Sequence, residues 1–178
     1  RNPMLYVSRG PWSIYEVLDT FFNHHRIPNG PVLFLRHWGL TLQSPLPRRT
    51  VNHKYDLIRT MLSIYEDRPF ILIGDSGQHD PEIYSRLVRE NPGRIQAVYI
   101  RNVSRSPERT DAIEALAQDL VDEGSSLVLA ADSFAIAEHA AKHGLIAPGA
   151  LSRVMAEMRE QEAGTTDISS VAPTPRRI

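Results

Sequence analysis

The amino-acid sequence predicts an α/β fold with a mostly parallel sheet and helices on both faces. Apolar runs of strand length alternate along the chain with segments of helical periodicity. These apolar runs are continuous and show no alternation with polar residues, which is typical of parallel strands buried on both faces. The length of 178 residues is enough for one such domain with a core of its own.

The first part of the chain is predicted to hold three strands. Each strand is a short apolar run that ends at polar or turn residues. The helical segments carry apolar side chains three or four residues apart. In order, we predict a strand over 4–7, a helix over 12–25, a strand over 31–35, a loop over 36–52, a helix over 53–65 and a strand over 69–73.

The second part continues the same alternation. Its best-marked helix start has Asp80 as the N-cap and Pro81 at the first helical position. Residues from about 161 onward are rich in Gly, Thr, Ser and Pro and predict a disordered tail. The further elements are a helix over 81–90, a strand over 95–100, a helix over 109–123, a strand over 127–130 and a helix over 133–143. We therefore divide the chain into one α/β domain over 1–150, the end of the last helical region over 151–160 and the tail over 161–178.

Composition excludes several classes of function. The net charge of -1 gives no reason to expect nucleic acid as a partner. The chain has no cysteine, so disulfides, thiolate zinc sites and a cysteine nucleophile are excluded. No apolar run approaches the roughly 20 residues that span a bilayer. From this composition we expect a cytoplasmic protein.

Candidate functional residues follow the predicted strands, because ligands bind at the carboxyl ends of strands in open parallel sheets. The polar residues at these positions are Ser8, Arg36, His37, Asp75, Asp80, Arg101 and Asn102. Lys54 lies at the start of a helix and could point to the same end. A hydroxyl and an ammonium bind phosphate oxygens, and two carboxylates can hold Mg²⁺. The residue types therefore suit metal-assisted phosphoryl transfer.

Each candidate also has a structural explanation. Asp80 could serve only as a helix cap and Asp75 only as a turn residue. Ser8 and Lys54 could simply be solvated. Of the 20 basic residues all but Lys54 and Lys142 are arginines, and an ammonium is not interchangeable with a guanidinium. The lysine at position 54 therefore favours a functional role, although the other lysine, Lys142, has no predicted role.

Two other functions are disfavoured by the sequence. Residues 74–77 match the Gly-Asp-Ser-Gly motif of trypsin-like proteases, but that fold is an all-β barrel with disulfides, whereas this chain is α/β without cysteine. Dinucleotide binding is disfavoured, since no Gly-x-Gly-x-x-Gly follows any strand.

Taken together, several runs resemble the catalytic domain of the actin-patch-protein phosphatidate phosphatases, a family of the haloacid dehalogenase superfamily. The runs are Tyr6-Val7-Ser8, Gly10-Pro11-Trp12, Leu35-Arg36-His37-Trp38-Gly39, His53-Lys54, Phe70-Ile71-Leu72-Ile73-Gly74-Asp75-Ser76-Gly77-Gln78 and Asp80-Pro81-Glu82-Ile83-Tyr84. The resemblance extends from about residue 2 to residue 146. It implies a haloacid dehalogenase-like Rossmannoid fold, with Ser8 binding the transferring phosphate, Lys54 neutralising charge, and Asp75 and Asp80 holding Mg²⁺.

The family's nucleophile is not found in this sequence. The resemblance implies an Asp-x-Asp motif whose first aspartate attacks phosphorus and whose second is the general acid/base. No such motif occurs here. In the family it lies upstream, on a central strand between the Ser8 strand and the Asp75 strand. We therefore expect an upstream segment to supply it, and we expect the chain alone to be inactive and poorly stable, because two strand edges would face a gap.

The resemblance also implies the substrate, a phosphate monoester such as phosphatidate, with diacylglycerol and phosphate as products. Candidate substrate or lipid contacts are Trp12, Arg36, His37, Trp38 and Ser76. His37 departs from the family, in which aspartate is common at this position. The segment 36–49 mixes tryptophan and leucine with arginine, a composition that suits either a peripheral membrane surface or an ordinary packed loop. The alternatives are an inactive lipid-binding or protein-docking module and a phosphatase for small soluble esters.

Overall fold

The computed structural model describes residues 2–8, 12–33, 51–121 and 125–169. Strands and helices alternate through these ranges, and a short 3₁₀ turn over Trp12–Ile14 precedes the first helix. The elements are β1 (Tyr6–Val7), α1 (Tyr15–His24), β2 (Val32–Leu33), α2 (Val51–Ile64), β3 (Phe70–Asp75), α3 (Asp80–Glu90), β4 (Ile95–Arg101), α4 (Pro107–Val121), β5 (Leu127–Ala130), α5 (Ser133–Lys142) and α6 (Ala150–Ser169).

The strands of the described ranges form two parallel sheets. The larger sheet has the order β3-β4-β5, and both of its pairings are parallel. Its register places Asp75 of β3 beside Arg101 of β4, and Arg101 beside Ala130 of β5. Strands β1 and β2 pair in parallel as a separate sheet. The predicted α/β fold with parallel strands is confirmed, and its architecture is Rossmann-like.

Helices cover both faces of the three-stranded sheet. Strand β4 is central, so its side chains alternate between two cores, with Val98 and Ile100 on one face and Ala97 and Tyr99 on the other. The first core is filled by apolar side chains of α2, α3 and α4, and Val7 of β1 packs against it. Ala140 of α5 closes the second core. This arrangement explains why the strands read as continuous apolar runs.

Some element boundaries differ from the predicted ones. Helix α3 begins at Asp80, its N-cap is His79, and no side chain caps it. The predicted capping role of Asp80 is therefore wrong, because its carboxylate is turned towards Lys54 instead. Helix α6 continues to Ser169, past the point where the tail was predicted to begin. Strong helix formers such as Gln161 extend an existing helix at little cost.

Besides Arg1, four segments of the sequence analysis lie outside the described residues. They are 9–11, which contains Gly10 and Pro11, 34–50, which contains Arg36, His37 and Trp38, 122–124, which contains the predicted end of the helix over 109–123, and 170–178. Within the part of the chain that the structure describes, no helix is both long and apolar enough to cross a membrane.

Candidate functional site

The candidate site lies at the carboxyl edge of the three-stranded sheet. Asp75 is the last residue of β3, and residues 76–79 connect it to Asp80, the first residue of α3. The backbone N–H of Gly77 donates to Oδ1 of Asp75 at 2.8 Å, so the side chain of Asp75 is folded over its own turn. The two acids thus stand at the two ends of one short connection, which we call the acidic loop (residues 75–80).

Gly74 allows the second acid to approach the first. A Cβ atom at this position would lie 2.5 Å from Oδ2 and 2.8 Å from Cβ of Asp80, and 2.9 Å from Cε2 of Tyr84. The side chain of Asp80 therefore occupies the space that any other residue at position 74 would fill. Because Gly74 is the residue before Asp75, this contact brings both acids to the same edge of the sheet.

The buried side chain of Tyr84 lies at the same edge of the sheet. It lies one turn along α3 from Asp80, and its hydroxyl donates to the carbonyl oxygen of Ile73 at 3.1 Å. Burial raises the pKa of the Tyr84 hydroxyl, and the negative charges of Asp80 and Asp75 raise it further. The ring of Tyr84 and the side chain of Asp80 thus both pack against Gly74 of β3.

Lys54 completes the described part of the site. Its Nζ forms an ion pair with Oδ1 of Asp80. The side chain of Lys54 is 12% exposed and that of Asp80 is 4% exposed, so the pair is largely removed from water. Removing two charges from water is costly unless they compensate each other, and here α2 and α3 are joined by such a pair. Of the predicted site residues, the structure thus pairs Lys54 with Asp80, and Asp75 lies at the other end of the same loop.

Ser76 lies inside the acidic loop and is only 2% exposed. Its hydroxyl donates to Oδ1 of Asn102 at 3.1 Å and accepts from the backbone N–H groups of Val103 and Ser104, both at 2.9 Å. These bonds tie the loop after β3 to the loop after β4. The predicted contact of Ser76 with substrate or lipid stays a prediction.

Ser8 directly follows β1, and its backbone N–H donates to the carbonyl oxygen of Leu33 at 2.9 Å. Helix α2, which carries Lys54, packs against β1, so the two residues belong to neighbouring elements. The phosphate-binding role of Ser8 stays a prediction.

Trp12 opens the turn before α1 and is 57% exposed. Its predicted role also stays untested, and Arg36, His37 and Trp38 lie outside the described residues.

The donor set suits a hard divalent cation, although it is small. Among the residues that the structure describes, no group of three or more His, Cys, Asp or Glu side chains is arranged to hold a metal ion. Asp75 and Asp80 supply two carboxylates, and Mg²⁺ is commonly held by one or two carboxylates with water and substrate oxygens. Lys54 engages Oδ1 of Asp80 and Gly77 engages Oδ1 of Asp75. Oδ2 of each acid is not taken by these two contacts, so the residues fit such an ion.

Sequence reasoning missed three residues that shape the site. Gly74 could have been noticed, because a glycine inside an apolar strand often marks a close approach. Glu82 and Arg109 form an ion pair across 27 residues of sequence, and Arg109 also bonds the acidic loop. No local pattern in the sequence indicates that pairing.

Comparisons with known proteins match the first part of the chain. The family model of the phosphatidate phosphatase APP1 catalytic domain matches residues 1–102, which include β1 to β4 and the whole acidic loop. Phosphatidate phosphatase APP1 of Saccharomyces cerevisiae is 34% identical over 101 residues, 57% of this chain and 17% of that protein. An uncharacterised protein of Schizosaccharomyces pombe is 32% identical over 98 residues, 55% of this chain and 16% of that protein. The matched part thus spans about a sixth of the length of these curated relatives. No solved structure matches the chain significantly.

Proposed function

The chain belongs to the family of the phosphatidate phosphatase APP1 catalytic domain, and from that membership we propose that it takes part in the hydrolysis of a phosphate monoester, with phosphatidate as the substrate. The observation that carries the proposal is the buried ion pair of Lys54 and Asp80 against Gly74, next to Asp75. Water-excluded charges at the carboxyl edge of a parallel sheet are suited to a phosphoryl group, because electrostatic stabilisation is strongest where water is excluded.

Within this proposal, Asp75 and Asp80 hold Mg²⁺, and Lys54 and Ser8 bind oxygens of the phosphate. The ion, when bound, supplies positive charge that stabilises the transferring phosphoryl group. Lys54 holds one oxygen of Asp80 in a fixed orientation and adds a positive charge at the same edge. Two acids and one lysine alone leave the described site with a net charge of minus one, which would repel a phosphate dianion; a divalent cation reverses that sign.

We further propose that the nucleophile is an aspartate on an additional strand that these 178 residues do not contain. Two observations support this. The sequence has no Asp-x-Asp motif. In addition, β1 and β3 belong to separate sheets, although Val7 of β1 packs against the same core as Leu72 of β3. A parallel strand between β1 and β3 would join the two sheets and would place its carboxyl end beside Asp75.

The proposed reaction proceeds in two steps. The aspartate carboxylate of that strand attacks phosphorus and forms an aspartyl-phosphate, while the P–O bond to the lipid alcohol breaks. The second aspartate of the motif donates a proton to the leaving alkoxide and gives diacylglycerol. Water then attacks phosphorus of the aspartyl-phosphate and the same acid accepts its proton, while the P–O bond to the nucleophilic aspartate breaks. This restores the carboxylate and releases inorganic phosphate. Ser8 and Lys54 bind the phosphate oxygens through both steps.

Access to a lipid substrate requires contact with a membrane surface. We propose that the protein is cytoplasmic and binds such a surface peripherally through Trp12 and the segment 36–49. Trp12 is exposed, as this role requires. Co-sedimentation with phosphatidate-containing vesicles should fall when Trp38 and Arg48 are both replaced with alanine; unchanged binding would remove this part of the proposal.

The central test is phosphate release by the full-length protein, which would include the additional strand proposed above. Release is measured from phosphatidate and, separately, from a small soluble phosphate monoester. We expect release with Mg²⁺, none with EDTA, and a loss of at least about a hundredfold in Asp75→Asn and Asp80→Asn. Asp119→Asn is the matched control. Asp119 is an exposed aspartate of α4 that pairs with Arg89 of α3, at the ends of the two helices away from the acidic loop. Activity that survives EDTA or Asp75→Asn would contradict the assignment. Release from the soluble ester alone would contradict the lipid substrate, and vesicle binding without release would favour an inactive module.

A further inference from the structure

The acidic loop is fixed to the neighbouring helix by one arginine. Arg109 lies in the first part of α4, and its Nε donates to the carbonyl oxygen of Ser76 at 3.1 Å. Its Nη2 donates to the carbonyl oxygen of Gln78 at 2.7 Å. The guanidinium thus bonds two backbone carbonyls of a four-residue connection that runs between Asp75 and Asp80.

Glu82 holds this guanidinium in place. Its carboxylate accepts from Nη1 of Arg109 and, at 3.1 Å, from Nη2, which makes the pair bidentate. The side chain of Arg109 is 25% exposed. The hydrogen bond from Arg109 holds the pKa of the Glu82 carboxyl below its ordinary value, and the same bond raises the pKa of Arg109. Arg109 therefore uses its planar set of donors on three groups at once, which a lysine ammonium cannot reproduce.

The opposite side of the loop is fixed by Ser76. Its buried hydroxyl bonds Asn102 and the N–H groups of Val103 and Ser104. The carbonyl of Ser76 points to Arg109 while its hydroxyl points to the β4–α4 connection, so residue 76 is held from both directions. The loop backbone therefore cannot shift without breaking bonds on one side or the other.

We propose that Arg109, oriented by Glu82, is a positioning residue that sets the geometry of the two metal-binding acids by fixing the backbone of the acidic loop. This inference rests on the proposed function of Asp75 and Asp80 as ligands. Arg109 need not contact substrate or metal itself. Residues that orient metal ligands without touching the ion typically change metal affinity by about 10–100-fold when they are replaced.

The chain offers a matched control for this role. Arg89 of α3 and Asp119 of α4 form a second ion pair at 3.2 Å between the same two helices. That pair lies at the far ends of α3 and α4 from the acidic loop. Asp119→Asn should therefore loosen the contact between the helices as Glu82→Gln does, yet leave the loop carbonyls bonded to Arg109.

The experiment compares Arg109→Lys, Glu82→Gln, Asp119→Asn and the unmodified protein. Hydrogen exchange is measured at the amides of residues 76–79, and Mg²⁺ affinity is measured by calorimetry without substrate. The amide of Gly77 is a direct probe, since it donates to Asp75. We expect at least about tenfold faster exchange in the loop and about tenfold or greater loss of Mg²⁺ affinity in Arg109→Lys. Glu82→Gln should show smaller changes in the same direction, and Asp119→Asn should show neither change.

The possible outcomes separate the positioning role of Arg109 from the proposed metal ligands. Faster loop exchange in Arg109→Lys with unchanged Mg²⁺ affinity would show that Arg109 stabilises the loop without affecting metal binding. That result would overturn the positioning role. Loop exchange and affinity in Arg109→Lys equal to those in Asp119→Asn would overturn it as well. If Arg109→Lys fails to fold, Glu82→Gln still tests the positioning role. This variant keeps the guanidinium of Arg109 and removes only the charge that orients it. An unmodified protein that binds no Mg²⁺ would refute the proposed ligands, whereas the exchange data would still test the contact between Arg109 and the loop.

Discussion

Replacing Gly74 with alanine places a methyl group where the side chain of Asp80 now lies. The new Cβ would be 2.5 Å from Oδ2 of Asp80, 2.8 Å from its Cβ and 2.9 Å from Cε2 of Tyr84. Real Cβ contacts of this length are essentially absent from proteins, so part of the structure must shift. The residue that must move is Asp80, whose Oδ1 is already paired with Lys54.

The size of the effect follows from how firmly these neighbours are held. Asp80 and Tyr84 are both buried in α3, so the helix itself must be displaced from β3 if their rotamers cannot change. Overpacking of a well-packed interior costs about 1–3 kcal/mol. Gly74 has no positive φ, so this cost is steric and involves no backbone strain. We expect Gly74→Ala to lower the free energy of unfolding by that amount and to weaken Mg²⁺ binding as well.

Gly149→Ala is the matched control for this change. A Cβ atom at Gly149 would meet nothing within 4 Å, and its φ is also not positive. Both substitutions reduce the entropy of the unfolded chain alike, which by itself stabilises by up to about 1 kcal/mol. Urea unfolding of the intact proteins, with a parallel Mg²⁺ titration, measures the difference. If Gly74→Ala unfolds at the same urea concentration as Gly149→Ala and binds Mg²⁺ equally well, the close approach of Asp80 to β3 is refuted.

Three further predictions concern the same edge of the sheet. Lys54→Met should destabilise by about 3–5 kcal/mol, because it leaves the buried carboxylate of Asp80 uncompensated; adding Asp80→Asn should recover part of the loss in urea unfolding, and no recovery would argue against the pair. Ser76→Ala should cost about 1–3 kcal/mol, since the N–H of Val103 loses its buried acceptor, and an unchanged melting temperature would count against that network. The hydrogen bond from Arg109 lowers the pKa of Glu82 from its ordinary value of 4.5. The stability that this carboxylate contributes is therefore fully present above pH 4.5 and is lost as the pH falls through the lower pKa of the folded state. Thermal melts should thus show a larger loss of stability below pH 4.5 in the unmodified protein than in Glu82→Gln, and equal losses would contradict this assignment.

Much of the fold could be predicted from local features of the sequence. The continuous apolar run at Phe70–Ile73 and the proline at position 81 indicate a buried strand and a helix start without any knowledge of their partners. The predicted start of α3 lies one residue too late, because capping preference is a local property whereas the carboxylate of Asp80 is bonded by a distant lysine. The end of α6 was placed too early, because composition alone signals the tail while helix propagation carries α6 to Ser169.

The sequence by itself determined the order of strands and helices and the positions of two acids after a buried strand, because backbone preference and burial period are short-range properties. Only the tertiary structure decided that Lys54 pairs with Asp80 across 26 residues, and that Arg109 reaches the loop between the acids. Such pairings depend on how α2, α3 and α4 lie against the sheet. That arrangement is set by packing of the whole core, so no short segment of the chain specifies which charged groups will meet.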